Sequence, residues 1–587
     1  MNRGRPALLL AFAVLCALSP ALRTGYVYDD GPAILQNPDL RDPAALPALF
    51  LTNYWGVERN IGLYRPLVQV TYWLEGVTFG FLAPLSHAVN ILLHLATSLL
   101  LFRFLEMLAA SKLPRGNTGS PTLQAERRGL GRGLSLTAAL LYAVHPALLD
   151  ATVWISGRTD VLAALFVLWG LLIGLRLHRE GTSAFHPRSW LLGLVFLLGL
   201  FSKEMAVTLP LLLFLLTGRD TWRRLPILGL ALLVYLSLRF AAVDEFLPSG
   251  TPAGVALLGR DLLDRTAIGA RSLVRLSLLL LVPWPSWLAA DHRADPLVQV
   301  DAATGFSGPA SLALLVVAAC AGILLRRRRA ARVGFLLAAV PFSMVPVLQI
   351  EPIGAVMAER FLYLPAAFLL PLAVVLAARI LPPRLHPAAA AAAVVVLMGV
   401  TWSRIPVYRD DGAFSRDVIR VYPRDWKAWN NLAVFEWSRD PPAFFAARRA
   451  FERALEIRPG YRKGRLNLAR LLLDQHRLEK DSDLLDPVED LLRPLGRRPE
   501  ALYLRGKLAL RRAAAVSEGR KELLEEALSL YTSAARGFAS SSAEPRRIAA
   551  AWKEAGIAAL RLGDRRRAAR FFRRARRADP RIQVPDS

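Results

Sequence analysis

The chain has 587 residues, 54% of them hydrophobic and 21% charged, with a formal net charge of +27. A mean hydropathy of +0.34 argues against an ordinary soluble enzyme. The positive charge would suggest nucleic acid in a soluble protein, but here the arginines punctuate apolar runs, as the positive-inside rule expects, so nucleic acid is not taken as a partner. The only two cysteines, Cys16 and Cys320, both lie in apolar runs, which excludes a disulfide framework or a thiolate metal cluster.

In chain order, the basic and apolar start MNRGRPALLLAFAVLCALSPALR fits a signal peptide or a first membrane helix. The apolar segments that follow favour the helix. They lie near 87–108, 134–149, 159–176, 189–202, 204–218, 225–242, 308–325, 333–350, 360–379 and 388–403, giving about eleven spans, some short of the ~20 residues a crossing needs. Segment 266–283 carries Arg271 and Arg275 and runs into PWPSW. If it crossed fully, Arg326 to Arg329 would be stranded outside, so it is read as interfacial or re-entrant. The basic loops 109–133 (with Lys112, Arg115, Arg127, Arg128 and Arg132), 177–188 and 219–224 then fall inside. The loops 23–86, 150–158, 243–307 and 351–359, and everything after Trp402, fall outside.

Ionisable groups in or beside spanning helices are costly and each asks for a reason. Asp29 and Asp30 follow the first helix. As neighbouring carboxylates they can raise one pKa toward that of a general base or share a divalent cation; the bland reading is a solvated turn that caps the next helix. His87, Asn90 and His94, spaced by three and four, share one helix face. A metal site there is weighed against the commoner reading, histidines hydrogen-bonded inside the bundle. Lys203 and Glu204 sit between two apolar runs, either as a self-compensating ion pair or with the lysine facing a phosphate. Arg65, Arg158 with Asp160, Arg239, and Glu359 with Arg360 are also placed at outer helix ends. Singly each fits a snorkelling anchor or an interface pair. Together they point to an anionic, phosphate-bearing lipid substrate and a group that must lose a proton.

From residue 425 the apolar runs give way to short amphipathic helices. Trp552, Gly556, Ala568, Phe572, Ala575 and Pro580 match the offsets of the tetratricopeptide repeat, in which small residues let two helices approach and an aromatic fills the gap. A second copy has Trp429, Leu432, Ala433, Ala447, Phe451, Ala454 and Pro459, with two extra residues at Asp440-Pro441-Pro442. A degenerate copy shows Ala527, Tyr531 and Ala534. Segment 461–500 holds another whose register the pattern does not set. These residues are core, and binding in such arrays uses the concave surface. The arginines of 562–577 read first as a solvated face and second as a grip for an acidic partner or anionic headgroup.

The ordered set Tyr28-Asp29-Asp30, Tyr64-Arg65-Pro66-Leu67, His87-x-x-Asn90-x-x-x-His94, His145-Pro146, Gly157-Arg158-x-Asp160, Lys203-Glu204 and Glu359-Arg360-Phe361-Leu362-Tyr363-Leu364-Pro365, followed by helical repeats, resembles the transmembrane O-mannosyltransferases that target cadherins and their bacterial relatives. The resemblance covers nearly the whole chain. It implies an all-α protein: a polytopic transmembrane bundle of the GT-C glycosyltransferase class over 1–403, a connector over 404–424 and a tetratricopeptide domain over 425–587. It also implies transfer of a sugar from a polyprenyl-phosphate carrier to a protein or glycan hydroxyl on the extracytoplasmic side, with inversion. Asp29 or Asp30 would activate the hydroxyl. Lys203, Arg360 and Arg158, with Arg65 and Arg239, would bind the phosphate, oriented by Glu204, Asp160 and Glu359. His87, Asn90, His94, His145 and Tyr64 would support them. The aromatics Tyr54, Trp55, Tyr64, Tyr72 and Trp73 of the first loop would stack on sugar or lie at the interface. A short, Arg- and Ala-heavy tail departs from the animal family, so neither mannose nor a cadherin-like acceptor is licensed. The composition looks bacterial, which would place the tail in the periplasm. Two other readings stand beside this one: a polysaccharide ligase or polymerase, and a non-catalytic repeat scaffold for envelope assembly.

Overall fold

The computed structural model describes residues 4–56, 62–110, 131–183, 186–243, 260–290, 307–327, 330–350, 355–541 and 545–585. Lys112, Arg115, Arg127, Arg128, Arg328 and Arg329, used above to orient the loops, lie outside the described residues. Among the described residues every regular element is helical and there is no strand. Two compact units divide the chain, Met1–Tyr422 and Pro423–Ser587.

The first unit is a helical bundle. Its helices are α1 (Arg5–Leu18), α2 (Pro66–Phe79), α3 (Ala83–Ala110), α4 (Arg132–Ala143), α5 (Arg158–Glu180), α6 (Pro187–Ser202), α7 (Leu209–Thr217), α8 (Leu225–Ala242), α9 (Leu262–Leu281), α10 (Gly308–Arg327), α11 (Ala331–Met344), α12 (Tyr363–Ile380), α13 (His386–Arg404) and α14 (Asp411–Val421). Seven stretches among the described residues are long and apolar enough to cross a membrane, and an eighth if Arg132–Ala143 and Pro146–Thr152, bent by 57°, form one span. Pro146 explains that bend: it removes a helix hydrogen bond and pushes His145 out of helical geometry. The 39-residue stretch Glu204–Ala242 contains both α7 and α8, broken at Gly218–Arg224, while Pro187–Ser202 and Ala331–Val347 are shorter apolar helices. Helix α9 is outside the spanning set; its apolar residues, including Leu273, Leu276 and Leu280, are buried on one side.

Helix α5 is the centre of the bundle. Its glycines Gly170 and Gly174 meet Leu209 and Leu213 of α7 so closely that a Cβ at either position would overlap a leucine methyl. Small residues at a membrane helix interface serve this close approach. Helix α13 is the opposite case, with only 17% of its apolar window buried within the protein.

The second unit is an array of four helical hairpins: α15 (Trp426–Ser438) with α16 (Phe444–Ile457), α17 (Arg462–Glu479) with α18 (Asp486–Leu492), α19 (Pro499–Ala515) with α20 (Arg520–Ser540), and α21 (Pro545–Arg561) with α22 (Arg565–Ala578). A Cβ at Gly556 would overlap the Phe572 ring, which is why a glycine stands opposite that aromatic. Gly506 stands in the same relation to Tyr531, where an added Cβ would come within 2.9 Å of Cε1. The second hairpin ends in a helix of only seven residues, so the expected offsets within 461–500 are interrupted.

Candidate functional site

The segment leaving α1 turns sharply before its carboxylate pair. Tyr28 takes φ +54°, a left-handed conformation that costs a non-glycine residue about 1–3 kcal/mol. Two contacts hold it: its N–H donates to Asp411 Oδ1 at 2.7 Å, and its ring stacks on Phe414 with centroids 5.4 Å apart. Burial pushes the Asp411 carboxyl up, against the lowering effect of that hydrogen bond.

The two carboxylates that follow have different surroundings. Asp30 is fully buried. Its Oδ2 accepts from Val27 N at 2.9 Å, and its Oδ1 accepts from Ser156 N at 2.8 Å and from the Ser156 hydroxyl. Burial raises its pKa from 3.8 to about 7, with the Asp29 charge adding to the rise and the Ser156 and Val27 hydrogen bonds opposing it. Asp29 is half-buried and keeps access to the outside. The two carboxylates are therefore not equivalent: Asp30 accepts three hydrogen bonds from within the protein. Among the described residues no three His, Cys, Asp or Glu side chains are grouped for a metal.

Asp30 fixes the loop Trp154–Gly157, and a second network holds that loop from behind. Asn90 donates to Trp154 O and Ile155 O, both at 3.3 Å, while its Oδ1 accepts from Arg158 Nε at 2.7 Å. Arg158 also donates to Thr71 Oγ1 at 3.0 Å and Ser86 O at 3.1 Å, pairs with Glu75, and lies 4.6 Å from the Tyr72 ring centre. With no solvent exposure, Arg158 is a structural arginine. All three of its guanidinium nitrogens are engaged inside the protein.

Of the remaining cations, Lys203 and Arg360 stand beside Phe361, and Arg65 and Arg239 stand beside Glu204. Lys203 Nζ bonds both Asp160 oxygens at 2.6 Å and lies 5.5 Å from the Phe361 ring centre. It is close enough to Arg65 and Arg360 to feel both charges. Arg65 pairs with Glu204 at 3.1 Å and lies 5.6 Å from the Tyr54 ring centre. Tyr54 in turn feels the charges of Arg65, Asp29 and Asp30. Arg360 pairs with Asp150 at 3.2 Å and lies 4.8 Å from the Trp154 ring centre. Its backbone N–H also donates to Asp150 Oδ2. Arg239 donates to Gly62 O at 2.8 Å and stands 4.0 Å from Glu204. Exposure separates these groups: the Arg65 and Arg360 side chains keep 13% and Glu204 37%, whereas Lys203 and Asp160 keep 8% and 4%.

Other expected residues serve as ties. His87 Nε2 meets Thr24 Oγ1 at 2.9 Å, and His94 bridges the Tyr363 hydroxyl and Ala143 O at 2.7 and 3.0 Å. His145 binds Leu280 O at 2.9 Å, which anchors α9, and the buried Tyr64 donates to Phe50 O at 2.8 Å. Glu359 accepts from Ala289 N at 2.7 Å. Asp417 accepts from the next amide, Ala290 N, at 2.9 Å and pairs with Arg404 at 2.7 Å. Sequence reasoning missed Glu75, Asp150, Ser156 and Asp417. Glu75 and Asp150 had a signal available, each being an isolated acid beside apolar helix.

The chain is similar in sequence to transmembrane protein O-mannosyltransferases, in keeping with the ordered motifs. It is 32% identical over 192 residues to protein O-mannosyl-transferase TMTC4 of Homo sapiens, a stretch covering 31% of this chain and 25% of that protein. With protein O-mannosyl-transferase TMTC1 of Homo sapiens it shares 36% identity over 174 residues, 29% of this chain and 18% of the relative. With protein O-mannosyl-transferase Tmtc2 of Drosophila melanogaster the identity is 32% over 196 residues, 32% of this chain and 19% of the relative. The aligned stretch thus spans a quarter or less of each of these curated relatives. No family model matches the chain.

Proposed function

We propose that the membrane unit is a glycosyltransferase that moves a sugar, mannose by analogy with the names of its relatives, from a polyprenyl-phosphate carrier to a hydroxyl of a protein acceptor at the extracytoplasmic face of a bacterial inner membrane. The observation that carries this reading is the half-buried Asp29 on a segment tied through Val27 O to Trp154 Nε1, with Arg360 against the ring of the same Trp154. In this reading the acceptor oxygen attacks the anomeric carbon and its proton passes to Asp29. The bond from that carbon to the phosphate oxygen breaks, and the polyprenyl phosphate leaves with the electron pair. Direct displacement inverts the anomeric centre. Arg360 and Arg65, which retain exposure, meet the charge growing on the phosphate; Lys203 adds its field from beneath while Asp160 holds it in place. Asp30 positions rather than reacts. The tail, read as tetratricopeptide repeats on the same side of the membrane, would present an acceptor or partner.

The test is transfer of radiolabelled mannose from polyprenyl-phosphate mannose to envelope proteins by the full chain in lipid nanodiscs. Asp29→Asn should abolish incorporation without loss of folded protein. Undiminished incorporation by that variant would remove Asp29 from the chemistry, and no incorporation by the wild type with any polyprenyl-phosphate sugar would favour the scaffold reading.

A further inference from the structure

A cleft of about 780 Å³ opens between the turn that follows α9, the C-terminal half of α13 and helix α14. Its walls change character along α13. Val396, Leu397 and Val400 give it an apolar end, and Arg404 with Asp417 and Arg420 a charged one. A helix rises about 12 Å over the eight residues from Val396 to Arg404, so the change takes place within roughly two turns. None of Asp29, Arg65, Lys203 and Arg360 lines this cleft.

The charges that line it do not balance. Asp417 Oδ1 accepts from Arg404 Nη1 at 2.7 Å and from Arg420 Nη2 at 2.9 Å, so two guanidinium groups share one carboxylate. Arg404 is almost wholly buried, yet its Nε and Nη2 take no hydrogen bond among the described residues. Arg420 also donates to Leu288 O at 2.8 Å, but 44% of its side chain is exposed and its Nη1 is unbonded among the described residues. Glu359 acts electrostatically on Arg404 without lining the cleft. A withdrawn cation with spare donors, at the head of an apolar channel, calls for an anion that carries a chain. The depth in the bilayer agrees. Helix α13 leaves most of its apolar window facing outward. Trp402, two residues before Arg404, and Trp284 and Trp287 in the turn are exposed, as tryptophans at the headgroup level are.

We infer that this cleft binds one acidic phospholipid, with its phosphate against Arg404 and Arg420 and an acyl chain along Val396, Leu397 and Val400. Bound there, the lipid braces α14, the helix whose Asp411 and Phe414 hold Tyr28. The inference is independent of the transfer chemistry. The test is native mass spectrometry of the delipidated full chain in neutral detergent, titrated with dioleoyl phosphatidylglycerol or, as control, dioleoyl phosphatidylcholine. A first phosphatidylglycerol should bind saturably, and the choline lipid roughly tenfold more weakly. Arg420→Gln should weaken phosphatidylglycerol roughly fivefold, the worth of one cation at an acidic headgroup. Val396→Trp, at an exposed position, fills the apolar end and should weaken it as well. Arg379→Gln, which removes an exposed arginine from the last turn of α12, should leave binding unchanged. Should Arg420→Gln misfold by circular dichroism, Val396→Trp still decides. Equal binding of the choline lipid, no loss from the cleft variants, or equal loss from Arg379→Gln would overturn the inference. So would displacement by equimolar undecaprenyl phosphate, which would give the cleft to the sugar carrier, or by low-millimolar glycerol phosphate, which would make it a site for a free phosphate.

Discussion

Lys203 Nζ stands 2.6 Å from each carboxylate oxygen of Asp160, and both side chains are almost wholly withdrawn from solvent. Removing one member of such a pair strands a buried charge, at about 3–5 kcal/mol, whereas replacing both by apolar residues is often tolerated. Lys203→Met or Asp160→Asn alone should therefore lower the thermal unfolding midpoint sharply. The combined Lys203→Met and Asp160→Leu variant should recover most of it. If that doubly apolar variant, once folded, also kept full transfer activity, the lysine would have no part in holding the donor.

Asp29 and Asp30 should separate cleanly. Asp29→Asn is expected to lower kcat by roughly 10²–10⁴, the usual worth of a general base, with an unchanged midpoint. Asp30→Asn places an amide N–H against the donors Val27 N and Ser156 N and should lower the midpoint first. Thermal scans alongside single-turnover transfer rates distinguish the two.

A pH dependence follows from Asp30. Its folded pKa of about 7 lies above the ordinary 3.8, so the folded chain holds this proton more tightly than the unfolded one. The stability it contributes is full below about pH 4 and declines as pH rises toward about 7. The midpoint of the wild type relative to Asp30→Asn should accordingly fall between pH 4 and 7 and level off above. A pH-independent difference would mean that the carboxylate is ionised throughout.

Arg158 should behave as a keystone of the fold. Arg158→Lys cannot reproduce bonds to Asn90, Thr71, Glu75 and Ser86 from one planar group, and it should lower folded yield strongly. Arg360→Lys, which keeps a cation beside the buried Asp150, should instead leave the midpoint within a few degrees and raise the KM for polyprenyl-phosphate sugar. Donor titrations on both variants check the contrast.

Helix positions and the hairpins of the tail were legible because they follow from hydrophobic runs and small-residue spacing, whereas the bend at His145-Pro146 was passed over within the apolar segment 134–149. The role of each charge was not legible. Arg158 and Arg360 look alike in sequence, each one residue from an acid or next to it. Their difference lies in partners that the chain brings from afar: Glu75, Asn90 and Ser86 for the first, Asp150 and Trp154 for the second. Likewise nothing in the sequence says that Glu359 accepts from Ala289 N, 70 residues away. Adjacency in the chain says little about which carboxylate serves which cation, because successive side chains at a helix start point in different directions.

Val27, Tyr28 and Asp30 are latched respectively to Trp154, Asp411 and Ser156, three attachment points drawn from two separate stretches of the chain. In the proposed reaction, chemistry beside Asp29 would take place against a preorganised wall, with little reorganisation left for the moment of bond exchange. Adaptability belongs instead to Arg65, Glu204 and Arg360, which keep contact with solvent. Efforts to retune acceptor or donor scope by directed evolution should therefore randomise those three and leave the latch residues alone.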